Sequence, residues 1–205
     1  DNDLVGTDRT FGFDTAVSIA TEAIDRIHTT AQSHHRVMII ETMGRETGFL
    51  TLMTGLAGGA ESILIPEINV SIEDVCNKIL QGYERGKLHS IILVAEGIGG
   101  DFETNRDVSE SKATLIGHEI NKRTGLETRV IILGHLQRGG RPTAMDRIVA
   151  SRMGAKAVEL LINGESNKMI SMLENKITYC EIEQALQSEI NIDFDIYNLS
   201  HILSL

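Results

Sequence analysis

The segment RVIILGHLQRGGRPT, residues 129–143, carries a run of β-branched apolar residues directly into His135, Gln137 and Arg138 and then into two adjacent glycines. A run of that kind reads as a buried strand, and its exit aims polar side chains at whatever lies beyond the sheet. Two further exits have the same form. RVMIIET leads into Met43, Gly44 and Arg45, and SIILVAE ends on Glu96 with GIGG behind it. Arginine takes phosphate oxygens through a two-pronged hydrogen bond, a carboxylate suits sugar hydroxyls, and glycine lets backbone come close to a ligand. The set fits a small, polar, phosphorylated molecule. Taken singly, each residue has a plainer reading: a strand-end arginine is often solvated, and a lone histidine or glutamate often has a local partner. The GIGG stretch lacks the helix start and ribose-binding acid that a dinucleotide loop needs.

These side chains require elements to position them, and the pattern supplies an alternation of helix and strand. Phe13, Val17, Ala20, Ile24 and Ile27 mark a helix behind an Asp14 cap, and residues 36–42 a strand. A helix over about 46–56, stopped by Gly58 and Gly59, precedes a strand at 62–68. Ser71 caps a helix that Gly86 closes, 90–96 is the third strand, and Ala113, Ile116 and Ile120 mark the next helix. After a fourth strand at 129–135, Pro142 opens a long helix to about 162, and helices are expected near 180–188 and 194–203. Continuous apolar strands alternating with helices predict an α/β fold, a doubly wound parallel sheet. In such sheets ligands bind beyond the carboxyl ends of the strands, where the three exits lie.

Two of the strands also begin with a cation, Arg36 and Arg129. A strand of six residues spans roughly 20 Å, so leading and trailing arginines cannot grip one small ligand together. Either the chain has two anion sites, or the leading pair reaches into a neighbouring subunit's site in a symmetric oligomer, or the pair is simply solvated.

Composition excludes other classes. The 205 residues carry 29 acidic against 19 basic side chains, a formal charge of −10, which argues against nucleic-acid or anionic-membrane partners. The two cysteines, Cys76 and Cys180, form no CxxC pattern, and no apolar run approaches membrane-spanning length, so a cytoplasmic protein is expected. The chain opens on DND without methionine or a preceding strand, which reads as truncation.

The blocks DNDLVGTDRTFGFDTA, SHHRVMIIETMGR, GLAGGAESILIPE, HSIILVAEG and ILGHLQRGGRPTAMDR, in this order over residues 1–162, resemble the bacterial-type 6-phosphofructokinases. The resemblance implies phosphoryl transfer to the 1-hydroxyl of fructose 6-phosphate, giving fructose 1,6-bisphosphate in glycolysis, with ATP or pyrophosphate as donor. It makes Asp1 the general base, Asp3 its companion and Arg45 a catalytic cation. Met43, Gly44 and Arg45 become the sugar and transfer loop, and Glu96 a sugar ligand. His135, Leu136, Gln137 and Arg138 become the segment that holds the sugar and its phosphate. Arg36 and Arg129 would enter the site from an adjacent subunit of a homotetramer. Gly59, Glu61, Arg85 and Lys87 match an effector site, although His28 stands where regulated members have arginine. The family's donor loop and Mg2+ ligands precede DND, so no metal ligand is expected in this chain, and the isolated piece is expected to be inactive. Residues 1–12 and 137–187 would belong to a donor-binding domain, the remnant of a second α/β unit, and 13–136 with 188–205 to a sugar-phosphate domain. The helix at 143–162 would then expose an apolar face without its sheet. A non-catalytic sugar-phosphate-binding or regulatory subunit, and a structural assembly partner, are the other readings.

Overall fold

The computed structural model describes residues 1–99, 110–186 and 191–204. The elements run α1 (Phe13–His34), β1 (Val37–Thr42), α2 (Phe49–Ala57), β2 (Ser62–Leu64), α3 (Ile72–Glu84), β3 (Ser90–Ala95), α4 (Lys112–Thr124) and β4 (Thr128–Ile132). A 3-10 turn (Gly134–Arg138), α5 (Ala144–Ile162), β5 (Lys168–Leu173), β6 (Lys176–Glu181), α6 (Ile182–Leu186) and α7 (Phe194–Leu203) complete the chain.

β1 to β4 form one parallel sheet in the order β2-β3-β1-β4. Because β1 and β3 are buried on both faces, successive residues of each strand feed two cores. Met38, Ile40, Ile91 and Leu93 pack under α1, α2 and α7 through Ile24, Leu52 and Tyr197. Val37, Ile39, Ile92 and Val94 face α3 and α4 through Val75, Ile79, Ile116 and Ile120. Helices therefore cover both faces, which is the doubly wound arrangement. Each fully buried Ile or Leu contributes about 1.5–3 kcal/mol relative to exposure. Two small cores this rich in aliphatic side chains hold the strand ends rigidly.

A third, smaller core joins α5 to the antiparallel β5–β6 hairpin through Val149, Met153 and Met172. The N-terminal segment is tied to it, since Asp8 N–H donates to the Met172 carbonyl at 2.7 Å. Only part of α5 is covered: Ile148 is 55 % exposed, Leu161 69 % and Ile162 80 %. No helix among the described residues is long and apolar enough to cross a membrane.

Several local expectations need correction. Asp14 does not cap α1; the cap is Gly12, and Asp14 instead accepts from Thr143 Oγ1 at 2.6 Å, across the fold. The helix expected at 46–56 begins only at Phe49, because Thr47 N–H closes a turn on the Gly44 carbonyl. The strand expected at 62–68 pairs only over Ser62–Leu64, since Pro66 has no N–H for the ladder. The fourth strand stops at Ile132, where the chain tightens into the 3-10 turn, so His135 is not a strand residue. Pro142 precedes Thr143, and it is Thr143 whose hydroxyl caps α5 by accepting from Asp146 N–H. Residues 180 and 181 of the helix expected at 180–188 lie in β6 instead, and residues 187 and 188 fall outside the described range. The hairpin turns on Glu174 and Asn175, both with left-handed φ (49° and 65°), the geometry of a two-residue type I′ connection.

Candidate functional site

The strand order decides the site. β1 lies between β3 and β4, so the residues leaving β3 and β4 flank the Met43–Arg45 loop leaving β1. From the β3 side, Glu96 Oε1 accepts the N–H groups of Gly44 (3.1 Å) and Arg45 (2.8 Å). From the β4 side, Gln137 Oε1 accepts the N–H of Met43 at 2.9 Å. Three consecutive backbone donors of the loop are thus taken up by two side chains. The loop is strained where it must be: Arg45 has φ 52° and Gly44 φ 150°, and a Cβ on Gly44 would meet Thr47 O at 2.6 Å. Gly97 is required for the same contact, because a Cβ there would lie 1.9 Å from the Arg45 carbonyl oxygen.

Holding the loop this way leaves the Arg45 side chain exposed, with no hydrogen bond or ion pair to it among the described residues. Gln137 is only 2 % exposed, and its Nε2 has no hydrogen-bond partner among the described residues. A buried amide donor without a partner is costly and is the kind of group a bound oxygen would satisfy. Arg138, next along the turn, donates from Nη2 to both carboxylate oxygens of Asp1 at 3.0 and 3.1 Å. The Asp1 side chain is 12 % exposed.

Asp1, Gln137 and Arg138 line one pocket of about 610 Å³, together with the start of α1 at Gly12 and Phe13. That start is capped from a distance. The buried Asp146 of α5 accepts from Thr15 N–H at 2.8 Å and from the Thr15 hydroxyl, while Thr143 N–H donates to Thr15 Oγ1 at 3.1 Å. The two helix N-termini are locked together, with a carboxylate favourably placed at the positive end of α1.

The sequence-derived candidates therefore divide. The structure brings together Asp1, Met43, Gly44, Arg45, Glu96, Gln137 and Arg138. His135 and Leu136 sit exposed on the same 3-10 turn, and Asp3 is exposed outside the pocket lining. Arg36 and Arg129 lie at the opposite, amino-terminal end of β1 and β4, where Glu127 pairs with both: Arg36 Nε at 3.0 Å and, more closely, Arg129 Nη2. The close Arg36 guanidinium, with the charge of Arg129 adding to it, holds the Glu127 carboxyl below its ordinary range, although the 3.0 Å contact to Arg36 Nε lies outside hydrogen-bond geometry. Glu127 was not singled out from sequence; its position two residues before Arg129, on the same strand face, was the available signal. Asp146 and Thr15 were also missed, because their pairing is purely tertiary.

Of the effector-type residues, Glu61, Arg85 and Lys87 line a small pocket of about 60 Å³ beside Lys78 and Ser204. Glu61 is held by Lys87 at 2.6 Å and by Ile91 N–H. His28 donates from Nε2 to the Gly58 carbonyl at 2.9 Å, next to Gly59. Among the described residues no group of His, Cys, Asp or Glu side chains gathers to hold a metal ion.

This is an open, doubly wound α/β protein with cations and carboxylates presented beyond the carboxyl ends of its strands. Residues 1–161 match the model of the family described as Phosphofructokinase, and the chain belongs to that family. It is 62% identical over its whole length to the ATP-dependent 6-phosphofructokinase of Halothermothrix orenii, covering 62% of that protein. It is 50% identical to the enzyme of the same name from Natranaerobius thermophilus, again over its whole length and 60% of the relative. The chain thus spans about three fifths of the length of these curated relatives. The structure of phosphofructokinase from Saccharomyces cerevisiae superposes with a TM-score of 0.81 at 34% identity, over 91% of this chain and 25% of that one.

Proposed function

We propose that the protein carrying this chain transfers a phosphoryl group from ATP to the 1-hydroxyl of fructose 6-phosphate, giving fructose 1,6-bisphosphate. The observation that carries this reading is the Asp1–Arg138 pair in a pocket beside a loop held rigid by Glu96 and Gln137. Family membership and the names of the two relatives support the reaction and the donor.

In this account Asp1 accepts the proton of the 1-hydroxyl as its oxygen attacks the terminal phosphorus of ATP and the bond to ADP breaks. An aspartate clasped by arginine is a poor base. The phosphate of the incoming sugar is a stronger competitor for a guanidinium than a single carboxylate, so substrate binding draws Arg138 off Asp1 and frees the base when it is needed. Gln137 offers its unused Nε2–H to a substrate oxygen, Glu96 accepts from sugar hydroxyls with its remaining lone pairs, and Arg45 neutralises charge on the moving phosphoryl group. Mg2+ would supply charge neutralisation at the donor, and among the described residues no group of side chains gathers to hold it. Arg36 and Arg129 meet the substrate bound to a neighbouring subunit, in a cytoplasmic homotetramer with shared sites. The division into a donor lobe (1–12, 137–187) and a sugar lobe (13–136, 188–205) belongs to the same reading, supported by the contact of the N-terminal segment with β5.

Calorimetric titration of the whole protein with fructose 6-phosphate, alongside Arg138→Ala, tests it. Saturable binding that weakens at least about tenfold in the variant is expected, since a charge-assisted pair is worth about 1.5–3 kcal/mol. Equal binding by both would remove Arg138 from the site.

A further inference from the structure

The amino-terminal edge of the sheet carries an arrangement that the pocket chemistry does not use. The parallel register pairs Val37 with Thr128, which sets Arg36, just before β1, beside Glu127, just before β4. Arg129, two residues after Glu127, returns to the same face. The Glu127 carboxylate divides its oxygens, Oε2 to Arg36 Nε and Oε1 to Arg129 Nη2.

Two guanidinium groups this close would repel each other without the carboxylate between them. The atoms left over matter more than those engaged. Arginine has five N–H donors. Glu127 Oε2 lies 3.0 Å from Arg36 Nε as a charge contact without hydrogen-bond geometry, while Arg129 donates Nη1 to the Thr128 carbonyl at 3.2 Å and pairs Nη2 with Glu127. Both Nη groups of Arg36, and the second N–H of each Nη of Arg129, have no other partner among the described residues. The three side chains are 26 %, 48 % and 53 % exposed for Arg36, Glu127 and Arg129, so the cluster faces outward. Such an exposed cluster adds little to stability.

We propose that Glu127 is a positioning residue that holds Arg36 and Arg129 side by side as a single two-guanidinium grip for the phosphate of the sugar substrate. This rests on the reading above that those two arginines meet the substrate. The carboxylate and the phosphate do not compete for the same donors, because the carboxylate faces the Nε side of the Arg36 guanidinium and leaves its Nη pair for the anion. Two long side chains that would otherwise be ordered only on binding are ordered beforehand, which raises affinity without touching the transfer step.

The test is saturation kinetics for fructose 6-phosphate on the whole protein, comparing wild type, E127Q, R36A, R129A and the E127Q/R129A double variant, with melting temperatures for each. E127Q should raise KM about tenfold and change kcat less than about twofold, at an unchanged melting temperature. In the R129A background E127Q should add less than about threefold, since the residue then has one arginine left to hold. If R36A and R129A raise KM but E127Q leaves it unchanged or lowers it, the role of Glu127 is overturned and the shared-site reading stands. If neither arginine variant moves KM, both fall together. A melting temperature that drops in step with KM would assign Glu127 to the fold and overturn the positioning role.

Discussion

Replacing Gln137 with Leu probes the tie between the β4 turn and the Met43–Arg45 loop. The side chain is 2 % exposed, so water cannot take the place of the lost oxygen, and the Met43 N–H is left without its acceptor. An unmade hydrogen bond of this kind costs about 1–3 kcal/mol. The same substitution removes the Nε2 group that is buried without a partner, and this relief is of similar size. Global stability should therefore change by less than about 1 kcal/mol, a shift of less than about 4 °C in melting temperature for a chain of this size. The loop, in contrast, loses one of its three anchored N–H groups and feels the cost locally. At about 1.4 kcal/mol per decade, affinity for fructose 6-phosphate should fall about 5- to 150-fold. Calorimetric titration paired with a thermal melt separates the two quantities. A Kd within about twofold of wild type at unchanged stability would refute the anchoring argument.

Other expectations follow from the same geometry. Gly97→Ala must push the Arg45 carbonyl away from a Cβ that would otherwise sit 1.9 Å from it, so substrate affinity should collapse while far-ultraviolet circular dichroism stays native; normal affinity would show that the contact relaxes freely. Asp146→Ala removes the distant cap of α1 and should lower the melting temperature by about 1–8 °C, from a cap worth about 0.5–2 kcal/mol, and an unchanged melt would deny the cross-capping a stabilising role. Burial lowers the pKa of both His89 and His201 from the ordinary value near 6.5. The unfolded chain then binds the extra protons first, so their contribution to stability is present above about pH 6.5 and is lost as pH falls below it. An H89Q/H201Q variant should lose less melting temperature on acidification than wild type, and an equally steep loss would contradict this.

Much of the sheet was legible because β1, β3 and β4 are continuous apolar runs, and buried parallel strands admit little else. The rim was legible for the same reason: Met43 and Glu96 follow directly on such runs, and Arg138 ends the turn that follows a third. What escaped was set by contacts distant in sequence. Asp14 looks like a helix cap, yet its carboxylate turns to Thr143 and leaves α1 to be capped by Asp146. The β5–β6 hairpin turns on Glu174 and Asn175 rather than on an Asn-Gly or Asp-Gly pair, so its strongest local signal is missing. Glu96 was read as a sugar ligand from its position and Gln137 through the family resemblance; that they also hold the backbone of the loop between them depends on the strand order β3-β1-β4, which no single strand reveals.

The reaction proposed for this rim is phosphoryl transfer to fructose 6-phosphate. The most direct measurement gives the whole protein fructose 6-phosphate and Mg2+ with either ATP or pyrophosphate, and follows fructose 1,6-bisphosphate, with Asp1→Asn in parallel. The account predicts product with ATP and its near-complete loss in the variant. Product with pyrophosphate alone would reassign the donor and keep the site. No product with either donor would contradict the catalytic reading and leave a protein that binds the sugar phosphate without transferring to it.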